Sequence, residues 1–512
     1  MPERFTWFRP AGKLGARPGD RAIPNPALIA AVLLGTVAGL GSAAEPAADG
    51  VELEDCRISA GPGYPGLKAR CGILLRPLDP DDDNSPLIDL NVAVIPALTL
   101  EPEADAFVPI AGGPGGSTIE FYAAWSGAFE NVRRDRDIVL LDQRGTGSLD
   151  PPDCELDEDV VAGEYSAEET LAATRECLAR LPHDPRYFTT SVAVRDLEAL
   201  RVALGYAAFN VYGSSYGTRV AQHYARRYPG STRSVILDGV VPPTLPLGPD
   251  IAIEAQRALD AIFARCAESA ECAAAFPELE TRFAVLKALL EAEPATLELP
   301  HPTTGRPVEA RFGAPELAGA VRLLSYHPSS IALIPLLVAE AADGNLAPLV
   351  AQHLLSSSAM ADALSFGMHN AVVCTEDVPF IDVSDETRAE LAQTYIGPLM
   401  LDALQTICSA WPAGVIDADL REPLEGELPV LLLSGEADPI TPPAYAELAA
   451  AGLRNAAHLV GRGQGHGLAP RGCVPRLLGE FVASASVAEL DTDCLDRQHA
   501  MPFFLDFTGP AP

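Results

Sequence analysis

Residues 213–217 read Gly-Ser-Ser-Tyr-Gly, a G-x-S-x-G run. The apolar stretch FNVY precedes it, with strand character, and TRVAQHYARRY follows, with helical spacing. A serine at a sharp strand-to-helix turn presents its hydroxyl to a substrate. The flanking glycines permit the turn and let helix and strand pack closely, and the helix N-terminus adds partial positive charge nearby. Ser215, at the centre of the motif, is therefore the candidate nucleophile, and Ser214 is off-centre. A serine hydroxyl is a weak nucleophile at neutral pH. It needs a base, and the base needs an acceptor that fixes its tautomer.

The base is expected at His466, in Gly463-Gln464-Gly465-His466-Gly467. This glycine-rich loop follows the last strand-like run, which is where such a histidine can reach the serine. His458, at the start of that run, reads as structural. The acceptor is expected at Asp438, just after the PVLLL run of 429–433. Asp238, at the end of VILD, and Glu436, two residues before Asp438, are its rivals. The chain order Ser215, Asp438, His466 is that of α/β-hydrolases. Gly112-Gly113-Pro114-Gly115-Gly116-Ser117 follows a short strand-like run and lets backbone N–H groups approach a tetrahedral oxyanion. Gly113 and Tyr216 are the expected oxyanion donors. The run lacks the Gly-Lys-Ser/Thr ending of a phosphate loop. Arg144, in Asp142-Gln143-Arg144-Gly145, reads as a brace for neighbouring loops through its fork of donors.

These residues need a frame. Strand-like runs at 87–98, 107–110, 137–141, 209–212 and 234–237 alternate with helical stretches at 192–204 and 216–227. That rhythm implies a mostly parallel sheet covered on both faces. From 250 to 370 the pattern is mainly helical, with an apolar face through Ile251, Ala255, Leu259, Ile262 and Phe263, broken by Pro277 and the 300–307 stretch. Strands return at 429–433 and 458–460. The expected architecture is an α/β-hydrolase sheet flanked by helices with a helical cap insertion. Its expected parts are a signal peptide (1–44), an N-terminal extension with the first strands (45–86), the first part of the core (87–245), the cap (246–370) and the second part of the core (371–500).

The first 44 residues carry five basic residues ahead of an apolar run, ALIAAVLLGTVAGLGSAA, which is the pattern of a secretory signal. Ten cysteines all follow it. Their simplest pairing is sequential: Cys56–Cys71, Cys154–Cys177, Cys266–Cys272, Cys374–Cys408 and Cys473–Cys494. No CxxC or zinc spacing occurs, so neither a metal nor another cofactor is expected. Export to the periplasm or the medium is expected, with no stable membrane insertion once the signal is removed. With 70 acidic and 36 basic residues the net charge is −34, which repels phosphate backbones and excludes nucleic acid as a partner. Apolar residues make up 48% of the 512, the proportion of a globular chain with ample core.

The motifs GGPGGS, DQRGTGSLD, GSSYGT, SGEADPITPP and GQGHG stand in the order seen in the proline iminopeptidase-like serine aminopeptidases. The chain most resembles the secreted tripeptidyl-aminopeptidase-like branch, including a C-terminal region from about 400 to 495. The resemblance implies a peptide substrate cleaved from its free N-terminus by Ser215, Asp438 and His466. It also implies a carboxylate near the cap that pairs with the α-ammonium, for which Glu376 and Asp377 are the candidates. The chain departs from many iminopeptidases in having Ala111 where they have histidine before the glycines, which weakens the case for strict proline specificity. An esterase or lipase with the same triad, or a non-catalytic binding protein on the same scaffold, are the alternatives.

Overall fold

The computed structural model describes residues 50–61, 63–147, 166–488 and 490–510. The expected signal segment and Cys154, with its expected bond to Cys177, lie outside them. Eleven strands are described: β1 (Glu54–Ile58), β2 (Leu67–Pro77), β3 (Leu87–Ile95), β4 (Ala106–Ile110), β5 (Ile138–Leu141), β6 (Phe209–Ser214), β7 (Thr232–Asp238), β8 (Ala295–Pro300), β9 (Pro307–Phe312), β10 (Val430–Gly435) and β11 (Ala456–Gly461). Nine of them form one sheet in the order β1-β2-β3-β5-β4-β6-β7-β10-β11. The β1-β2-β3-β5 pairs are antiparallel and every pair from β5-β4 to β10-β11 is parallel. The expected α/β-hydrolase frame is therefore the observed one.

Helix α1 (Thr118–Trp125) follows β4, α2 (Thr190–Leu204) precedes β6, and α3 (Tyr216–Arg227) leaves it. Further along come α4 (Pro249–Glu268), α5 (Ala314–Leu324), α6 (Phe366–Glu376), α7 (Leu399–Ala410) and α8 (Val474–Ser484). The central strands read as unbroken apolar runs because both faces are covered. Successive side chains point to opposite faces. Val211, Val235, Leu237, Val430 and Leu432 pack against Leu197 and Leu200 of α2 and Val220 and Tyr224 of α3. The alternate residues Tyr212, Ile236, Leu431 and Leu433 pack against Leu477 and Phe481 of α8.

Between β7 and α6 the chain builds a separate apolar cluster from Leu259, Ile262 and Phe263 of α4, Phe283, Val321 and Val338, to which Tyr395 and Phe503 add from outside. The face expected on α4 is buried at Ala255, Leu259, Ile262 and Phe263, with Ile251 half-buried and Arg257 exposed. The segment is mainly helical, as expected, and holds one hairpin besides. Its proline-bounded stretch is the antiparallel hairpin β8-β9, with Pro300 opposite Pro307. The hairpin is half exposed, so it lacks the apolar run that marks a buried strand. Met368, Ala371 and Val372 of α6 bring the chain back onto the main core.

Four disulfides close: Cys56–Cys71, Cys266–Cys272, Cys374–Cys408 and Cys473–Cys494. They are four of the five sequential pairs. Among the described residues no helix is long and apolar enough to cross a membrane.

Candidate active site

Each triad and oxyanion candidate stands just beyond the carboxyl end of a parallel strand, where open α/β sheets place ligands. Ser215 follows β6, Gly112 and Gly113 follow β4, Asp438 follows β10 and His466 lies beyond β11. Ser215 has φ 54° and ψ −124°, a backbone conformation rare for a residue with a Cβ. Its surroundings hold it there. Its N–H donates to the Asp238 carbonyl at 2.9 Å, and its carbonyl accepts from the Thr218 N–H at 2.8 Å and the Thr218 hydroxyl at 2.6 Å. Such strain is stored where a side chain must be aimed.

His466 Nδ1 and Asp438 Oδ2 are 2.8 Å apart. Asp438 is fully buried, and its Oδ1 accepts the N–H groups of Ile440 and Thr441, both at 2.9 Å. Burial alone would raise the Asp438 carboxyl. The facing imidazole and those N–H groups outweigh it and hold the carboxyl below its usual range. Burial alone would lower the His466 ring, and the Asp438 carboxylate instead holds it above its ordinary value. With Nδ1 donating to Asp438, Nε2 is the atom left to take a proton.

The rival acid has a different task. Asp238 Oδ1 accepts from the Leu468 N–H at 2.7 Å, and Oδ2 accepts from the Ala469 N–H and the Tyr212 hydroxyl, each at 2.8 Å. It grips the loop two residues past His466. A Cβ added to Gly239, the next residue, would lie 2.8 Å from His466 Cε1. Asp238 thus carries Ser215 on its carbonyl and the His466 loop on its carboxylate. Glu436 accepts only from the Gly463 N–H at 2.8 Å. His458 pairs with the Ser434 hydroxyl at 2.9 Å.

A Cβ added to Gly112 would lie 2.8 Å from Ser215 Cβ, so the Gly112–Gly116 loop lies directly against the serine. Four contacts that sequence reasoning missed position this loop. Asp142 Oδ1 accepts from the Ser117 hydroxyl at 2.8 Å and the Ile119 N–H at 3.1 Å. Ser365 N–H donates to the Gly115 carbonyl at 2.9 Å, and His369 Nδ1 donates to the Pro114 carbonyl at 3.1 Å. Arg144, fully buried, forks onto Asp196 at 2.7 and 2.9 Å and reaches the Leu78 carbonyl at 2.8 Å. It is a brace.

Glu376 and Asp377 are both buried and both engaged. Asp377 takes Arg219 at 2.7 and 3.1 Å and the Leu247 N–H at 2.8 Å. Glu376 takes the Thr190 N–H at 2.7 Å and the Thr190 hydroxyl at 2.8 Å, with Arg219 farther off at 3.7 Å. Thr190 in turn accepts from the Tyr216 hydroxyl at 2.7 Å. Burial pushes Glu376 up to about 7, against the pull of Arg219.

Among the described residues, His223, Asp417 and Asp419 have the donor types of a cation site. However, Arg195, Arg226 and Arg227 lie within 3.5–3.8 Å of the two aspartates, and Arg226 donates to His223 Nδ1 at 2.9 Å. Guanidinium groups already supply the positive charge.

Comparison with known proteins agrees with the fold. Residues 105–286 match the alpha/beta hydrolase fold family, and residues 393–494 match the TAP-like protein family. The serine protease Hip1 of Mycobacterium tuberculosis is 29% identical over 475 residues, covering 81% of this chain and 86% of that protein. A tripeptidyl aminopeptidase of Streptomyces coelicolor is 29% identical over 220 residues, 40% of each chain. A proline iminopeptidase of Xylella fastidiosa is 31% identical over 144 residues, 27% of this chain and 33% of that one. Sheet order, motif order and both family matches converge: the chain has the α/β-hydrolase fold, and its C-terminal region matches the TAP-like family.

Proposed function

We propose that this chain is an exported serine peptidase that releases residues or short peptides from free peptide N-termini. The observation that carries the hydrolytic part is the buried Asp438–His466 pair at 2.8 Å, set beside a strained Ser215. His466 takes the Ser215 proton as the oxygen attacks the scissile carbonyl. The N–H groups of Gly113 and Tyr216 receive the oxyanion. His466 then protonates the leaving amine, and water hydrolyses the acyl-enzyme. No step calls for a metal or an organic cofactor.

The peptide substrate and the free-amine requirement rest on the relatives, which are named as a serine protease, a tripeptidyl aminopeptidase and a proline iminopeptidase. Glu376 is the carboxylate we assign to the amine. It is the less committed of the two acids, since Asp377 holds Arg219 with both oxygens. Export rests on the signal-like leader and on four disulfides, which persist in oxidising compartments.

The test is a panel of aminoacyl and peptidyl amides, with free or acetylated N-termini, and a short-chain ester. Ser215→Ala should keep the fold and lose several orders of magnitude in turnover. Cleavage confined to free amines supports the aminopeptidase reading. Ester turnover without amide cleavage replaces it with an esterase on the same triad.

A further inference from the structure

We propose that Arg322 binds a substrate carboxylate, so that this enzyme favours peptides with an acidic group near the scissile bond. The proposal rests on the peptidase reading above and deepens it. Arg322 lies in the last turn of α5, in the cap. Its Nη2 donates to the Tyr326 hydroxyl at 3.1 Å, and its guanidinium carbon lies 5.7 Å from the centre of the Tyr326 ring. Tyr326 is itself fixed to the catalytic histidine twice over. Its carbonyl accepts the His466 N–H at 2.8 Å, and its ring meets the His466 ring edge-on at 5.4 Å. The guanidinium is thus one side chain away from His466.

Its charge also acts on His369, the residue that holds the Pro114 carbonyl of the oxyanion loop. Arg322 is therefore close enough to both histidines for its charge to bear on them. Yet among the described residues no carboxylate lies within ion-pair distance of it, and its Nε is buried without a hydrogen-bond partner. The fully buried Arg144 and Arg219 are forked onto acids, Asp196 and Asp377, whereas the half-buried Arg322 is not. In a chain with 70 acidic residues against 36 basic ones, an arginine left without an acid beside the active site is an unfilled position. A buried donor without a partner costs free energy that a bound acceptor returns. A guanidinium fork matches a carboxylate with two parallel bonds. That carboxylate has two sources, an aspartate or glutamate side chain of the substrate or the free C-terminus of a short peptide.

The experiment compares kcat/KM for paired fluorogenic peptides with Glu or Gln at each of the first three positions. A second set pairs short peptides with free and amidated C-termini. In the wild-type enzyme one carboxylate substrate should exceed its neutral twin by about tenfold or more, the scale of one charge-assisted contact. Arg322→Gln should bring that ratio to within about twofold of one, and Arg322→Lys should restore part of it. Whether the preference sits in the first set or the second identifies the source. A wild-type ratio near one in every pair overturns the proposal. So does an equal loss on both members of each pair in Arg322→Gln, because Arg322 would then only position Tyr326. If Arg322→Gln does not fold, slowing of fluorophosphonate labelling of wild-type Ser215 by each twin reads the same preference. That competition also separates the two readings: labelling without cleavage of any amide defeats the peptidase assignment, while unequal protection by the twins still supports Arg322. Equal protection overturns it.

Discussion

Asp438 Oδ2 stands 2.8 Å from His466 Nδ1 and accepts the Thr441 hydroxyl at the same distance, so the imidazole faces a carboxylate that is already oriented. The carboxylate raises the ring above its ordinary value in spite of burial. A general base works only when neutral, so activity is lost as pH falls through that raised value. We expect the acid limb of kcat/KM against pH to lie above 6.5, the ordinary histidine value. Asp438→Asn should move the limb down and cut kcat by about 10⁴-fold, the loss expected when a triad histidine is left in the wrong tautomer. The same sign governs stability. The His466 contribution is complete below the ordinary histidine range and is lost as pH rises through the raised value. A pH profile of Asp438→Asn that overlays the wild type would remove Asp438 from the base.

Asp238→Asn tests the other acid at the site. Its two oxygens hold two backbone N–H groups just past His466 and the Tyr212 hydroxyl. An asparagine can present only one oxygen, so one buried N–H faces an amide NH₂. We expect a stability loss of about 1–3 kcal/mol, the cost of one unsatisfied buried group. The acid limb should move down less than in Asp438→Asn, because the Asp238 charge also helps to raise the ring but Asp438 still faces it. Urea denaturation and the pH profile together separate this role from that of Asp438.

Much of this site was legible because each key residue sits in a motif whose mechanics are local. A G-x-S-x-G between strand and helix defines its own turn, and Asp438 and His466 each follow an apolar run. What the sequence could not reveal are the partners brought in from far along the chain. Asp238 meets the loop at 468–469 across 230 residues, and His369 meets Pro114 across 255. Neither lies in a pattern with a period. The β8-β9 hairpin was hidden for another reason. It is bounded by prolines and half exposed, so its alternation lacks the apolar run of the sheet strands. Asp238 did carry one signal, its position at the end of a parallel strand. That signal could not distinguish the acid that orients the imidazole from the acid that anchors the loop.

Arg144 should behave as a structural residue. Its guanidinium is fully buried and carries Asp196 and three backbone carbonyls, those of Pro77, Leu78 and Tyr187. Arg144→Leu leaves Asp196 with Arg76 alone, at 3.0 Å. We expect a loss of about 3 kcal/mol, toward the low end for a broken buried pair because Arg76 remains. Arg144→Lys should recover little, since one ammonium cannot span the same set of acceptors. Chemical denaturation of both variants measures this. Full stability with reduced activity would turn Arg144 from a brace into a substrate contact.

The Cys374–Cys408 bond ties α6 to α7 across 34 residues of chain. It lies two residues before Glu376, so it fixes the end of the helix that closes on the two buried acids. Closing a loop of that length removes unfolded-state entropy worth about 3–4 kcal/mol. In a chain of this size the entropy of unfolding is large, and one such bond shifts Tm by only a few degrees. We therefore expect Cys374→Ser with Cys408→Ser to lower Tm by a few degrees, and full reduction of all the bonds to lower it much further. The double variant should also raise KM for free-amine peptides more than it changes ester turnover, because Glu376 loses its anchor while Ser215, Asp438 and His466 keep theirs. An equal effect on both substrates would mean that α6 supports the whole site rather than the amine end of it.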